Sequence, residues 1–376
     1  MGSTIASEFG IEYPIFAFSH CRDVVAEVSR RGGFGVFGAT SHSADELDTE
    51  LRWIEDHCGG HPYGVDIVMP TRTADTGTRD PKKLRDELAA LIPEEHRKFV
   101  RRVLEENGIP TRPIDAPFKF TGNLMFTGAE NMPMIEIILA YPRCKLFVSA
   151  LGSPPPDVIR RFHDADVKVG ALAGNVQHAV RHVQRGADLV VAQGTEAGGH
   201  TGEIATMVLT PDVVDAVAPV PVLAAGGIGT GRQVAASLAL GAKGVWTGSI
   251  WLTVIEAATT EEERAEMIAA TASDTVRSRS MTGKPIRQLR STWTDAWSRP
   301  DAPAPLEIPL QMMLVEDALA DDFMARGPSA GLGKSTVGQI VGRMNAVRSV
   351  HEVMDDLVQE LVTTIGSLSD LMESGL

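Results

Sequence analysis

Arg31-Gly32-Gly33-Phe34-Gly35-Val36, Arg185-Gly186-Ala187-Asp188-Leu189-Val190 and Leu240-Gly241-Ala242-Lys243-Gly244-Val245 are three copies of one junction. Each reads as a helix closed by a left-handed glycine, then a small residue, then an apolar strand. Repeated helix–glycine–strand units require parallel strands joined by crossover helices. Working outward, the apolar runs at 14–18, 35–38, 63–69, 146–150, 167–172, 189–193, 222–225 and 244–247 complete a set of eight. Most are continuously apolar, as strands buried on both faces must be. Amphipathic stretches at 44–57, 156–165, 176–185 and 232–240 supply helices between them. Ser43 with Glu46 forms a capping box, and Thr210-Pro211 reads as an N-cap followed by a first-turn proline. The expected fold is α/β, a closed (β/α)8 TIM barrel. An open doubly wound sheet is the alternative.

The spacing breaks once. Residues 70–131 intervene after the third strand, with charged helical stretches at 81–91 and 93–107. They begin at the strand end where barrels carry substrate loops, so they read as an inserted lid, or else as a decorative insertion. After Trp251 no clear strand remains. Thr260 caps a helix, 300–309 is proline-rich, and helices are expected at 310–324 and 350–372. The expected division is a barrel over 1–255 and a helical C-terminal extension over 256–376.

A net charge of −14 disfavours nucleic acid and anionic membrane as partners. The three cysteines form no CxxC pair, which speaks for a reducing compartment and against a thiolate metal site. Neither a signal peptide nor a membrane-spanning run is legible, so a cytoplasmic location is expected. Homo-oligomerisation is left open. Two motif matches fail on context. Gly33-Phe34-Gly35-Val36-Phe37-Gly38 satisfies GxGxxG but runs from a helix into a strand, the reverse of a dinucleotide fingerprint. Gly331-Leu332-Gly333-Lys334-Ser335 resembles the end of a P-loop, but Pro328 stands at the first glycine position. His178 and His182 share a helix face without HExxH, and they read as a solvated surface. No metal site is expected.

The densest constellation is Gln193-Gly194-Thr195-Glu196-Ala197-Gly198-Gly199-His200-Thr201-Gly202. A buried strand ends in a glycine loop that exposes one glutamate and one histidine. A histidine there stands on the catalytic face of a barrel, and its ordinary pKa suits proton transfer. Ala224-Ala225-Gly226-Gly227-Ile228 and Trp246-Thr247-Gly248-Ser249 end the seventh and eighth strands. Barrels hold phosphate between those two loops, on free N–H groups and a helix N-terminus.

The 192–202 run resembles the signature of the nitronate monooxygenase family, formerly the 2-nitropropane dioxygenases. The 224–228 and 248–249 loops are similar to that family's flavin phosphate site. Ser280-Met281-Thr282-Gly283-Lys284-Pro285-Ile286-Arg287 looks like its post-barrel motif. The resemblance implies FMN on the C-terminal barrel face, with His200 as the catalytic residue. Gln193, Gly198 and Gly199 would line the flavin. Gly226, Gly227, Trp246, Thr247, Gly248 and Ser249 would hold its phosphate end. Ala17, Phe18 and Ser19 stand in the first-strand run, where the family commonly has a Gln-Ala-Pro-Met-like sequence. Asp66 stands where the family usually has asparagine, and only a protonated carboxyl could donate a hydrogen bond as an amide does.

The resemblance implies oxidation of nitronates or nitroalkanes with O2. FMN-containing reductases of enoyl thioesters, which use NAD(P)H, share a similar loop and phosphate site. A non-redox phosphate-binding barrel is the third reading.

Overall fold

The computed structural model describes residues 4–40, 42–69, 81–111, 128–326 and 335–374. Eight parallel strands close into a barrel. They are β1 (Ile15–Ser19), β2 (Phe34–Gly38), β3 (Tyr63–Val68), β4 (Cys144–Ala150), β5 (Lys168–Ala173), β6 (Leu189–Gln193), β8 (Val222–Ala225) and β9 (Gly244–Thr247). β9 pairs back onto β1, Val245 opposite Ile15, which removes both sheet edges and excludes the open sheet. The extra strand β7 (Gly199–His200) lies outside the barrel. All three opening junctions take the expected form. Gly32, Gly186 and Gly241 have φ of 79°, 105° and 95°, where a side chain would be strained.

Side chains alternate between two cores, as strands buried on both faces require. Phe16, Phe34, Val36, Leu146, Val148, Leu189, Val191, Leu223 and Trp246 fill the barrel. Tyr63, Val65, Ile67, Phe147 and Val169 point outward, onto helices such as Ala44–His57 and Pro156–Asp164.

Three expectations need correction. The segment beyond Trp251 holds two strands, β10 (Thr275–Ser278) and β11 (Ile286–Leu289), in an antiparallel pair. Each has four residues and carries polar side chains, so neither gives an apolar run. They pair with each other, and β11 also pairs with β7. Second, Pro211 lies inside the helix Thr206–Val217, and Ala205 is its N-cap. Third, His182 is buried, with Nδ1 2.5 Å from Ser153 Oγ and Nε2 3.1 Å from the Leu172 carbonyl. It ties a helix to the barrel and is no solvated surface.

Residues 70–80 and 112–127 of the expected lid lie outside the described residues, as do residues 331–334 of the P-loop look-alike. The helices Pro81–Ala90 and Glu94–Glu106 form a satellite core with the C-terminal part. Phe99, Val103 and Leu104 pack with Trp293, Trp297 and Met313. The last helix, Val350–Glu373, crosses Gly231 so closely that a Cβ there would lie 2.2 Å from the Leu361 nitrogen. Among the described residues no helix is long and apolar enough to cross a membrane, and no group of His, Cys, Asp and Glu could hold a metal.

Candidate active site

Inward positions near the strand ends line the C-terminal mouth of the barrel. β1 offers Phe18, which stacks on Trp246 of β9 with ring centroids 6.0 Å apart. β3 offers Asp66, because Val65 and Ile67 on either side point outward. Gln193 follows the inward Val191 by two residues on β6.

Four expected cofactor residues have their side chains engaged elsewhere. Ala17 packs outward with Val24 and Val245. Thr247 Oγ1 donates to the Phe16 carbonyl (3.2 Å) and accepts from Trp251 Nε1 (3.0 Å). Ser19 Oγ accepts from the Cys21 N–H at 3.1 Å, and Ser249 Oγ from the Gly338 N–H at 2.9 Å. Ala17 and Thr247 can therefore meet a ligand in the mouth only through backbone.

The glycine loop after β6 is locked rather than loose. Gly199 (φ 75°) and His200 form β7, opposite Arg287 and Ile286 of β11. A Cβ on Gly198 would lie 2.8 Å from the Gly338 nitrogen, so only glycine lets these two backbones pass. The Arg287 side chain is buried. Its Nε donates to the Thr195 carbonyl at 2.7 Å and its Nη1 to Thr275 Oγ1 at 3.0 Å. It pins β10 and β11 beneath the loop.

His200 Nε2 lies 3.0 Å from Thr282 Oγ1, which is 3.3 Å from the Lys284 carbonyl. In the tautomer that satisfies both bonds, Thr282 donates to the carbonyl and Nε2–H donates to Thr282. Nδ1 then keeps the free lone pair. Burial, and then the nearby Lys284 ammonium, lower the His200 pKa to about 4. Both effects favour the neutral ring.

The loop after β8 fits a phosphate. Gly226 and Gly227 have φ of 105° and 69°. A Cβ on Gly226 would lie 2.8 Å from Thr206 Oγ1, and one on Gly227 3.2 Å from Glu196 Cβ. Among the described residues, the N–H groups of Gly226, Gly227 and Gly248 donate to no acceptor within the chain. The Gly227 carbonyl is fixed by Gln233 Nε2 at 2.6 Å, and the helix Gly231–Ala239 begins beside it. Orphan N–H groups at a helix N-terminus attract anions.

The model of the nitronate monooxygenase family matches residues 3–360. The chain belongs to that family. It is 51% identical to a candidate monooxygenase of Mycobacterium tuberculosis, over 99% of this chain and 100% of that relative. It is 30% identical to a protein of Staphylococcus aureus assigned as a nitronate monooxygenase, over 80% of this chain and 81% of the relative. Two solved structures share the fold. One is a nitroalkane oxidase from Streptomyces ansochromogenes (TM-score 0.77, 24% identity, 96% of this chain and 99% of the other). The other is FabK from Thermotoga maritima (TM-score 0.72, 22% identity, 99% of each). This nitronate monooxygenase family member is accordingly an oxidoreductase.

Two residues escaped a role in the sequence reading. Arg287 was visible only as part of a motif. Glu196 was visible as a charge in the loop, but its task is structural. Its carboxylate accepts from the Thr206 N–H at 3.0 Å and from Thr206 Oγ1 at 2.8 Å, capping the helix Thr206–Val217 from ten residues away. Thr206 Oγ1 also lies 3.0 Å from the Gly226 carbonyl, so Glu196 links both glycine loops. Glu196→Ala removes a cap and leaves the Thr206 N–H without its partner, while Thr206 Oγ1 can still donate to the Gly226 carbonyl. It is expected to lower stability by about 1–2 kcal/mol in urea unfolding.

Proposed function

We propose that this family member oxidises nitronates and nitroalkanes with O2, using FMN held on the C-terminal barrel face. Gly226, Gly227 and Gly248 would bind its phosphate through their N–H groups. Gln193, Gly198 and Gly199, with Phe18 and Trp246, would line the rest. Bound there, FMN supplies the electron-accepting chemistry and its return to O2. The observation that carries this reading is the placement of His200 in the glycine loop, where Thr282 holds Nε2 and leaves Nδ1 to take a proton from a neutral nitroalkane.

The second reading is an enoyl-thioester reductase that uses NAD(P)H. It asks His200 to deliver a proton, and an imidazole with a pKa of about 4 holds almost none near pH 7. The FabK likeness keeps this reading testable. Anaerobic mixing with a nitronate is expected to bleach the flavin, whereas NAD(P)H leaves it oxidised. Rapid bleaching by NAD(P)H alone would favour the reductase.

The cofactor is expected to be FMN and not FAD. The cradle provides one phosphate site, and no correctly placed dinucleotide fingerprint accompanies it. Heat release followed by chromatography identifies it, and recovery of FAD would contradict the assignment.

A further inference from the structure

We propose that Asp66 carries a proton at neutral pH and donates a hydrogen bond to an acceptor atom on the ring edge of the bound flavin. This rests on the FMN reading above. β3 directs Asp66 into the barrel, and only 4% of the residue is exposed. Val36, Val148 and Phe18 line the barrel on its flanks, and the His20 ring lies on the inner side of Gly38. Its Oδ2 is fully buried and has no hydrogen-bond partner.

The charged and titratable neighbours offer no counter-ion. Gly38 stands opposite Asp66 on β2, and its carbonyl takes the His20 Nδ1–H at 2.8 Å. Loss of water around the His20 ring pushes it below the ordinary imidazole value, toward the neutral form. His42, beyond β2, packs its ring on Phe37. β4 places Val148 opposite Asp66, followed by Ser149, whose hydroxyl is used on the Gly152 carbonyl. Among the described residues no cation is paired with Asp66. A bare carboxylate in such a place is strongly disfavoured, whereas the acid is tolerated. Burial accordingly raises its carboxyl well above the ordinary range.

A protonated carboxyl has one O–H donor, and that is the capacity an asparagine amide would bring. The unpartnered oxygen then has a use, because β3 places Asp66 inward near the strand's C-terminal end, where its O–H could reach a flavin edge seated in the barrel.

The test compares wild type with Asp66→Asn, which donates but cannot ionise, and Asp66→Leu, which cannot donate. FMN dissociation constants are measured by fluorescence across pH. Asp66→Asn is expected to stay within about threefold of wild type at neutral pH. Asp66→Leu should bind FMN about threefold to tenfold more weakly. As pH rises past the Asp66 ionisation, wild-type affinity should fall, while Asp66→Asn stays flat. Difference infrared spectra between these two proteins should contain a carboxylic-acid carbonyl band at neutral pH. A carboxylate band instead, or the same alkaline loss of affinity in Asp66→Asn, overturns the proposal. A wild type that binds no FMN overturns the flavin reading and the hydrogen bond with it. The infrared band would then still decide where the proton is.

Discussion

Gly227→Asp is expected to fold and to purify colourless. The substitution sets a carboxylate into the loop whose free N–H groups are to receive the phosphate. Two charges at 4 Å repel by about 4 kcal/mol at an intermediate dielectric, roughly a thousandfold in affinity. The structure adds two terms. At φ 69° a side chain is strained by about 1 kcal/mol, and the new Cβ would lie 3.2 Å from Glu196 Cβ. The nearby Glu196 carboxylate repels the new one further. Gly227→Ala carries the strain and the crowding without the charge, so it should bind FMN far better than Gly227→Asp. Absorbance of the purified proteins and FMN titration read the outcome. Full flavin occupancy in Gly227→Asp would place the phosphate elsewhere.

His200→Asn is expected to keep its flavin and to lose about 10²–10⁴-fold in turnover of neutral nitroalkane. Asparagine can still hydrogen-bond to Thr282, and the backbone pairing of β7 with β11 does not involve the side chain. What it cannot do is take a proton. A preformed nitronate has already lost that proton, so its oxidation should suffer much less. The pH dependence sharpens the test. With a pKa of about 4, the wild-type base is available throughout the neutral range, and kcat/KM for nitroalkane should fall only as pH approaches 4. That acid limb should vanish in the variant. Stability follows the same sign. The unfolded ring takes its proton near 6.5 and the folded ring only near 4, so acid favours unfolding progressively below about 6.5. His200→Asn removes that contribution. Unchanged turnover with every substrate would exclude His200 and turn attention to His20 or His42.

The barrel and its two glycine loops were legible because their causes are local. A glycine at φ 105°, as at Gly186, is demanded by a helix end and advertised by the residue itself. The apolar run of β6 and the chemistry of His200 likewise need no distant partner to be seen. The capping box of Ser43 and Glu46 formed as read, since both halves lie within one turn.

What only the tertiary structure decided is everything whose cause is remote in sequence. The helix Thr206–Val217 starts four residues before Thr210, because Glu196 caps it across a loop. β11 is a strand because β7 offers it an edge, and β10 pairs on its other side, which four-residue polar segments cannot announce. His182 is buried because Ser153, in the loop after β4, and the Leu172 carbonyl of β5 meet it. The protonation states of the site belong here too. Nothing in the letters His200 and Asp66 sets a pKa. Desolvation does so, and burial exists only once β7 is closed by β11 and the barrel by its eighth strand.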